Sequence, residues 1–362
     1  MGQATTTAPE RKRVYQIALF NDGIPTPPRQ VLGAQGDITY IPTKARTALN
    51  NPAATGMGYW SINPYVGCAF GCAYCYARYA HRYRAEREPD NVDETLPPWL
   101  AFERRIFVKR NVADVLRATL RDGGPRHRGL IEGEWLVIGT ATDPYQPAER
   151  RYRLTRGVLS VLAEHPGIRL VIITKSPLVA RDIDLLKRIT AHGALTVHLS
   201  LITLDRDLAR RLEPRAPTPE SRLRAIERVA HAGIDIGVNI MPILPGITDD
   251  PSALDALIAR IAQTGASHVN AGSLRLRSDA FRRYLPFIES EFPHLAGRYR
   301  ATYQSSHELT DRYRAGLRRV VSRISSAHGI RFGRSGGVPD EDNAEHAQTA
   351  AESAEWQLEL PV

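Results

Sequence analysis

From Trp60 onward, short apolar runs rich in β-branched residues alternate with stretches in which apolar positions recur every three to four residues. The first pattern predicts strands over 60–62, 135–140, 169–174, 195–201, 235–241 and 268–274. The second predicts helices over 149–164, 178–191, 219–232 and 252–263, several of them followed by a stop glycine at Gly193, Gly233 or Gly265. Strand alternating with helix implies parallel strands joined by right-handed crossovers. Six such units predict an α/β fold, a partial (β/α)6 TIM-like barrel. A doubly wound open sheet shares the same pattern, because strand order is not written in periodicity. In either architecture the chemistry belongs at the C-terminal ends of the strands.

Two further helices, over 279–291 and 306–328, are rich in Arg and Tyr and are expected to pack against the barrel. Residues 1–57, rich in Pro, Gly, Thr and Asn, read as an N-terminal extension with a short strand at 13–19. The barrel and its C-terminal helices occupy 58–334. An acidic, Ala-rich tail at 335–362 has little from which to build a core, so disorder is expected there.

Composition keeps this reading within the globular class: 43% of the 362 residues are hydrophobic and 24% charged. No apolar run approaches the roughly 18 to 20 residues of a membrane helix. The N-terminus lacks the apolar segment of a secretory signal, so a cytoplasmic protein is expected. The formal charge is +9, but the last 28 residues hold seven acidic residues and no Lys or Arg, which leaves +16 on the rest. Such an excess attracts phosphate-rich partners. Because 43 of the 48 basic residues are Arg, a compositional bias toward Arg explains the charge equally well.

Only three cysteines occur, all within the segment Asn63-Pro-Tyr-Val-Gly-Cys68-Ala-Phe-Gly-Cys72-Ala-Tyr-Cys75-Tyr-Ala-Arg78. An odd, clustered set argues for metal binding over disulfides. Thiolates select iron–sulfur clusters, zinc or copper(I). Gly67 and Gly71 let the backbone curl around a compact centre. A closed electron-transfer cluster takes four thiolates, and this chain has three. One coordination position is therefore open, as a metal site needs in order to activate a ligand. The alternative is zinc with His81 as fourth ligand, although His81 is expected on the solvent side of a helix. Arg78, three residues beyond Cys75, stands either near the metal or on the surface.

The Cys-x3-Cys-x2-Cys spacing, with Tyr74 before the last cysteine, resembles the signature of the radical S-adenosylmethionine (SAM) superfamily. The segments GTATDPYQPAE (139–149), TKS (174–176), LEPRAPTPESRLRAI (212–226) and MPILPGITDD (241–250) follow in the order seen in the branch resembling spore photoproduct lyase. The resemblance spans about residues 60 to 275. It implies a [4Fe-4S] cluster on Cys68, Cys72 and Cys75 whose fourth iron is chelated by SAM. It also implies an electron donor such as flavodoxin or ferredoxin, reductive cleavage to a 5′-deoxyadenosyl radical, and hydrogen abstraction from a substrate. By the same resemblance Tyr74 lies beside the adenine, Thr140, Thr142 and Asp143 face the amino group, Lys175 meets the carboxylate or ribose, and Ser200 and Asn239 contact SAM. Local chemistry leaves other readings open: Asp143 as a helix cap, Lys109 as a second cofactor lysine, Ser200 as a core hydroxyl, and Glu213 with Arg222 as a structural ion pair.

The lyase branch uses a further cysteine as hydrogen donor, which this chain lacks. Tyr59, Tyr65 and Tyr145 are the substitutes the sequence offers. The substrate therefore stays open, with nucleic acid as one class. A reading from a different class is a nucleic-acid-binding protein with a structural or redox-sensing cluster and no SAM chemistry. Arg and Tyr interleave at 78–87 and 298–319, where rings and guanidinium planes would stack on bases.

Overall fold

The computed structural model describes residues 32–81, 96–122 and 127–333. The expected strand at 13–19, the acidic tail at 335–362 and most of the Arg/Tyr stretch at 78–87 lie outside the described residues. Strands among the described residues are β1 (Gly33–Gln35), β2 (Ile38–Thr43), β3 (Trp60–Ile62), β4 (Tyr65–Val66), β5 (Arg105–Lys109), β6 (Trp135–Ile138), β7 (Arg169–Thr174), β8 (Ala194–Ser200), β9 (Asp235–Ile243), β10 (His268–Ser273) and β11 (Arg331–Phe332).

Seven of them form one sheet in the order β11-β10-β9-β8-β7-β6-β3, and every pairing is parallel. With β4 and β5 set aside in a second sheet, neighbours in this sheet follow one another in the chain, the order of a partial barrel and not of a doubly wound sheet. The six expected strands are all present, and β11 is an addition too short for periodicity to register.

Alternation along the strands sorts the side chains onto two faces. On one face Leu136, Ile172, Val197, Val238 and their neighbours join the main core with helix residues such as Leu162, Leu186, Ile226 and Ile258. On the other face register places Thr196 beside Asp235, His198 and His268 on either side of Gly237, Ser200 beside Asn239, and Asn239 beside Asn270. That face is polar toward β8–β10. Toward β6 and β7 it is apolar, where Trp135, Val137 and Val171 cluster.

One feature of the polar face depends on a missing side chain. A Cβ on Gly237 would lie 2.2 Å from His268 Nε2, so only glycine lets the imidazole cross β9 to meet His198 Nε2 at 3.1 Å. Ser267 donates its hydroxyl hydrogen to Asp235 at 2.5 Å. Its oxygen then accepts from His268 Nδ1, 2.8 Å away. The remaining His268 nitrogen accepts from His198.

Helix boundaries depart from the sequence pattern where tertiary contacts intervene. The helix expected over 149–164 is two, Ala148–Tyr152 and Leu154–Leu162, separated by Arg153 in the left-handed region at φ 51°. Glu149 causes the break: its carboxylate accepts the backbone N–H groups of Thr155 and Arg156, at 2.9 and 3.1 Å, capping the second segment. The helices expected over 279–291 and 306–328 are present as Ser278–Glu291 and Asp311–Ala327, the latter capped by Thr310, and between them lies a helix that was not expected, Pro293–Ser305. Gly233 and Gly265 have the positive φ of helix stops, whereas Gly193 is extended and is required because a Cβ would meet the Ile168 carbonyl at 2.3 Å.

A second, small sheet has the order β1-β2-β5-β4. Its core of Ile38, Tyr40, Tyr65, Ile106 and Val108 packs on Ala69 of the cysteine segment. Residues from the expected N-terminal extension thereby support the segment that carries the metal motif.

Candidate functional site

The cysteine segment leaves the C-terminal end of β3 and is tied down at nearly every peptide. Cys68 N–H donates to the Phe102 carbonyl at 2.9 Å, and Ala73 N–H to the Leu212 carbonyl at 2.9 Å. The Gly67 carbonyl accepts from Thr142 Oγ1 at 2.6 Å and Gln146 Nε2 at 3.0 Å, while Gln146 Oε1 accepts from Ala69 N–H at 2.9 Å. Arg215 donates from Nε to the Ala69 carbonyl at 2.6 Å. Gly67 and Gly71 have φ of 88° and 67°. A Cβ at Gly67 would lie 2.7 Å from the Phe102 carbonyl oxygen, and one at Gly71 would lie 2.3 Å from the Arg215 guanidinium.

Cys68 and Cys72 are buried and Cys75 is partly so, all as free thiols. Burial pushes Cys68 up to about 12, with Asp143 adding to the effect. Cys72 is raised well above its ordinary value by burial and by Glu213. Burial raises Cys75 too, against the pull of Arg78. Such thiols stay protonated at neutral pH, so metal binding must expel their protons. Three free thiols within eight residues of one segment are a donor set that fits a cluster, in which each thiolate would meet a different iron.

His81 is not solvent-facing as expected. It is 6% exposed, its Nε2 lies 2.9 Å from the Arg105 carbonyl, and its ring packs against Phe102 and Phe107. Its Nε2 is thus held by the backbone of β5, and among the described residues no three His, Cys, Asp or Glu side chains converge on a single ion, so His81 and the cysteines form no zinc site there. Arg78 is no surface residue either. Fully buried, it donates to the carbonyls of Trp99 and Cys72 at 2.5 and 2.6 Å and pairs with Glu103 at 2.7 Å. It clamps the cysteine segment to the helix Pro98–Arg104.

The loop after β6 cross-links the first half of this segment. Thr140 accepts from Asn63 Nδ2 at 3.2 Å through its hydroxyl and from the Tyr76 hydroxyl through its carbonyl. Thr142 is committed to Gly67. Asp143 does not cap the helix at Ala148–Tyr152; its carboxylate accepts from Tyr145 N–H at 2.9 Å, Thr174 Oγ1 at 2.7 Å and Lys175 N–H at 2.7 Å. Burial raises its pKa against those three donors and the Lys175 charge. Lys109 donates to the Asn63 carbonyl at 2.7 Å and so braces the start of the segment.

The second half meets β7, β8 and the segment after them. Tyr74 donates its hydroxyl to Glu213, which also receives Arg222. Lys175 Nζ lies 3.6 Å from Glu213 and 5.6 Å from the Tyr74 ring centroid. Burial disfavours the Lys175 charge, but Glu213 and Cys72 outweigh it and hold its pKa above the ordinary value. For Glu213, burial is overcome by Arg222 and Lys175, and its carboxyl is held below the ordinary range. Arg222 continues to the Ser200 carbonyl at 3.1 Å. Asn239 accepts from Asn270 at 3.0 Å.

Of the residues singled out in the sequence, Tyr74 and Lys175 therefore meet at Glu213 beside Cys72, and Thr140, Thr142 and Asp143 gather on the other side of the cysteine segment. Ser200 and Asn239 stand together on the polar face of the sheet, at the ends of β8 and in β9. Sequence reasoning missed Gln146, Asn270 and the linking role of Glu213. Gln146 lies inside the GTATDPYQPAE segment, where a polar residue between Tyr and Pro was the available signal. Tyr65 and Tyr145 are each 1% exposed and sealed in the core, Tyr65 donating to Glu149. In the stretch at 298–319, Tyr299, Tyr303 and Tyr313 are buried and donate to Pro245, Leu274 and Asp249. These rings hold the helices to the barrel and are turned away from any base.

The Radical SAM superfamily sequence model matches residues 62–257. An uncharacterised protein of Mycobacterium tuberculosis is 35% identical over 297 residues, covering 81% of this chain and 82% of that protein. An uncharacterised protein of Methanocaldococcus jannaschii is 29% identical over 212 residues, covering 59% of this chain and 70% of that protein. Among solved structures, a spore photoproduct lyase variant with bound AdoMet and dinucleoside spore photoproduct is similar in fold, with TM-score 0.53, 17% identity and 81% of each chain covered. No helix among the described residues is long and apolar enough to cross a membrane.

Proposed function

This chain is a radical SAM enzyme, a member of the radical SAM superfamily, and from that premise we propose that Cys68, Cys72 and Cys75 hold a single [4Fe-4S] cluster open to SAM at its fourth iron. The observation that carries this reading is the set of three thiols on one braced, buried segment in a chain with no other cysteine. When bound and reduced, the cluster supplies the electron that cleaves SAM to methionine and a 5′-deoxyadenosyl radical, which abstracts hydrogen from substrate.

The chain's own residues bind and orient. Lys175 offers a compact positive charge to the SAM carboxylate, and Tyr74 offers its ring to the adenine. Asp143 and the Thr140–Thr142 loop stand on the amino-group side, and Ser200 and Asn239 offer neutral polar groups to the ribose and adenine. An electron-transfer protein such as flavodoxin or ferredoxin supplies the electron. The +16 body favours a phosphate-bearing substrate such as nucleic acid. Anaerobic reconstitution tests the assignment: the protein is expected to take up iron and sulfide in equal amounts, and Cys72→Ala to lose them. Iron held without sulfide, or uptake indifferent to the loss of Cys72, overturns it.

A further inference from the structure

Lys175 occupies an unusual position among buried cations. Its side chain is 15% exposed, and its one ion pair, to Glu213, spans 3.6 Å, too long for a hydrogen bond. The ammonium rests over the Tyr74 ring. Its three N–H donors are thus oriented by a charge and a ring without being consumed by either. A largely desolvated ammonium with uncommitted donors is costly unless a ligand supplies oxygen acceptors.

Glu213 makes this arrangement possible. Its tight bonds go to Tyr74 and Arg222, and Arg222 in turn holds the end of β8 through the Ser200 carbonyl. One carboxylate, 1% exposed, therefore joins the cysteine segment, the end of β7 and the end of β8, the three places from which Tyr74, Lys175 and Ser200 project.

We propose that Glu213 is a positioning residue that aims the Lys175 ammonium and the Tyr74 ring at one ligand, the amino-acid end and adenine of SAM, without touching that ligand. The inference rests on Lys175 meeting SAM. Loss of a partner behind a ligand-holding group typically weakens binding about 10- to 100-fold.

The test uses cluster-bearing protein and equilibrium SAM binding, with the electron paramagnetic resonance spectrum of the reduced cluster as second readout. Glu213→Gln, which keeps the shape and removes the charge, is expected to weaken SAM binding about tenfold or more. The SAM-induced change in the spectrum should then appear only at correspondingly higher SAM. In a Lys175→Met background the same change should cost little further, because coupled residues are not additive. Unchanged affinity in Glu213→Gln, or a full additional loss in the Lys175→Met background, overturns the proposal. If Glu213→Gln does not fold, Glu213→Asp carries the comparison: the shortened carboxylate should weaken SAM binding, and wild-type affinity overturns the proposal. Wild-type protein that holds its cluster yet binds no SAM refutes the proposed function itself, a different outcome from either.

Discussion

At the scale of single residues, the cysteine segment owes its shape to what its glycines lack. Both have positive φ, so any side chain costs on the order of 1–3 kcal/mol in backbone strain. Their surroundings separate them. At Gly67 the added Cβ meets the rigid backbone of Phe102, whereas at Gly71 it meets the far end of the Arg215 side chain, which can move. Gly67→Ala is therefore expected to lower the melting temperature and cluster content more than Gly71→Ala. Equal losses would show that the clash with Phe102 is relieved. The three cysteines were legible because they are contiguous. Gln146 was not, because its partners Gly67 and Ala69 lie 79 and 77 positions away, and nothing local marks an amide that will brace a distant loop. Glu213 was recognised as the partner of Arg222, but its hold on Tyr74 and Lys175 arises only when three elements converge.

Among elements, the strands were legible because their alternation is imposed by the sheet itself. The break at Arg153 was not, since no Gly or Pro marks it and its cause is the Glu149 carboxylate. The histidines of β8 and β10 also escaped notice. They become a pair only once parallel register sets both beside Gly237. Burial holds His268 below the ordinary imidazole value of 6.5, Asp235 opposing and Arg331 adding to the effect. The unfolded chain takes up this proton near pH 6.5, and the folded chain only at lower pH. Stability from this group is complete above that value and is lost as the pH falls through the folded pKa. Thermal unfolding should shift down between pH 7.5 and 5.5, and His268→Asn should flatten that part of the profile. An unaltered slope in the variant would assign it to other groups. Gly237→Ala should unfold more easily at any pH, because its Cβ takes the space of the His268 ring.

For the molecule as a whole, the strand order turned a choice between two α/β architectures into one, and it did so through pairings that no periodicity encodes. The residues that follow β6 and β7 and the one that ends β8, among them Thr140, Thr142, Asp143, Lys175 and Ser200, lie at the C-terminal edge of the sheet. Charge acts at this scale as well. A nucleic acid held by the +16 body should be released steeply as salt rises, log affinity falling linearly with log salt. Because Tyr299, Tyr303 and Tyr313 are buried, substitution of their neighbouring arginines should weaken binding without any change in base preference. Salt-independent binding would contradict a phosphate-dominated contact. The most direct test of the central claim is SAM cleavage by anaerobically reconstituted protein under a strong reductant. The account predicts 5′-deoxyadenosine and methionine in equal amounts from the wild type and none from Cys72→Ala. An intact, reducible cluster that leaves SAM uncleaved would contradict it.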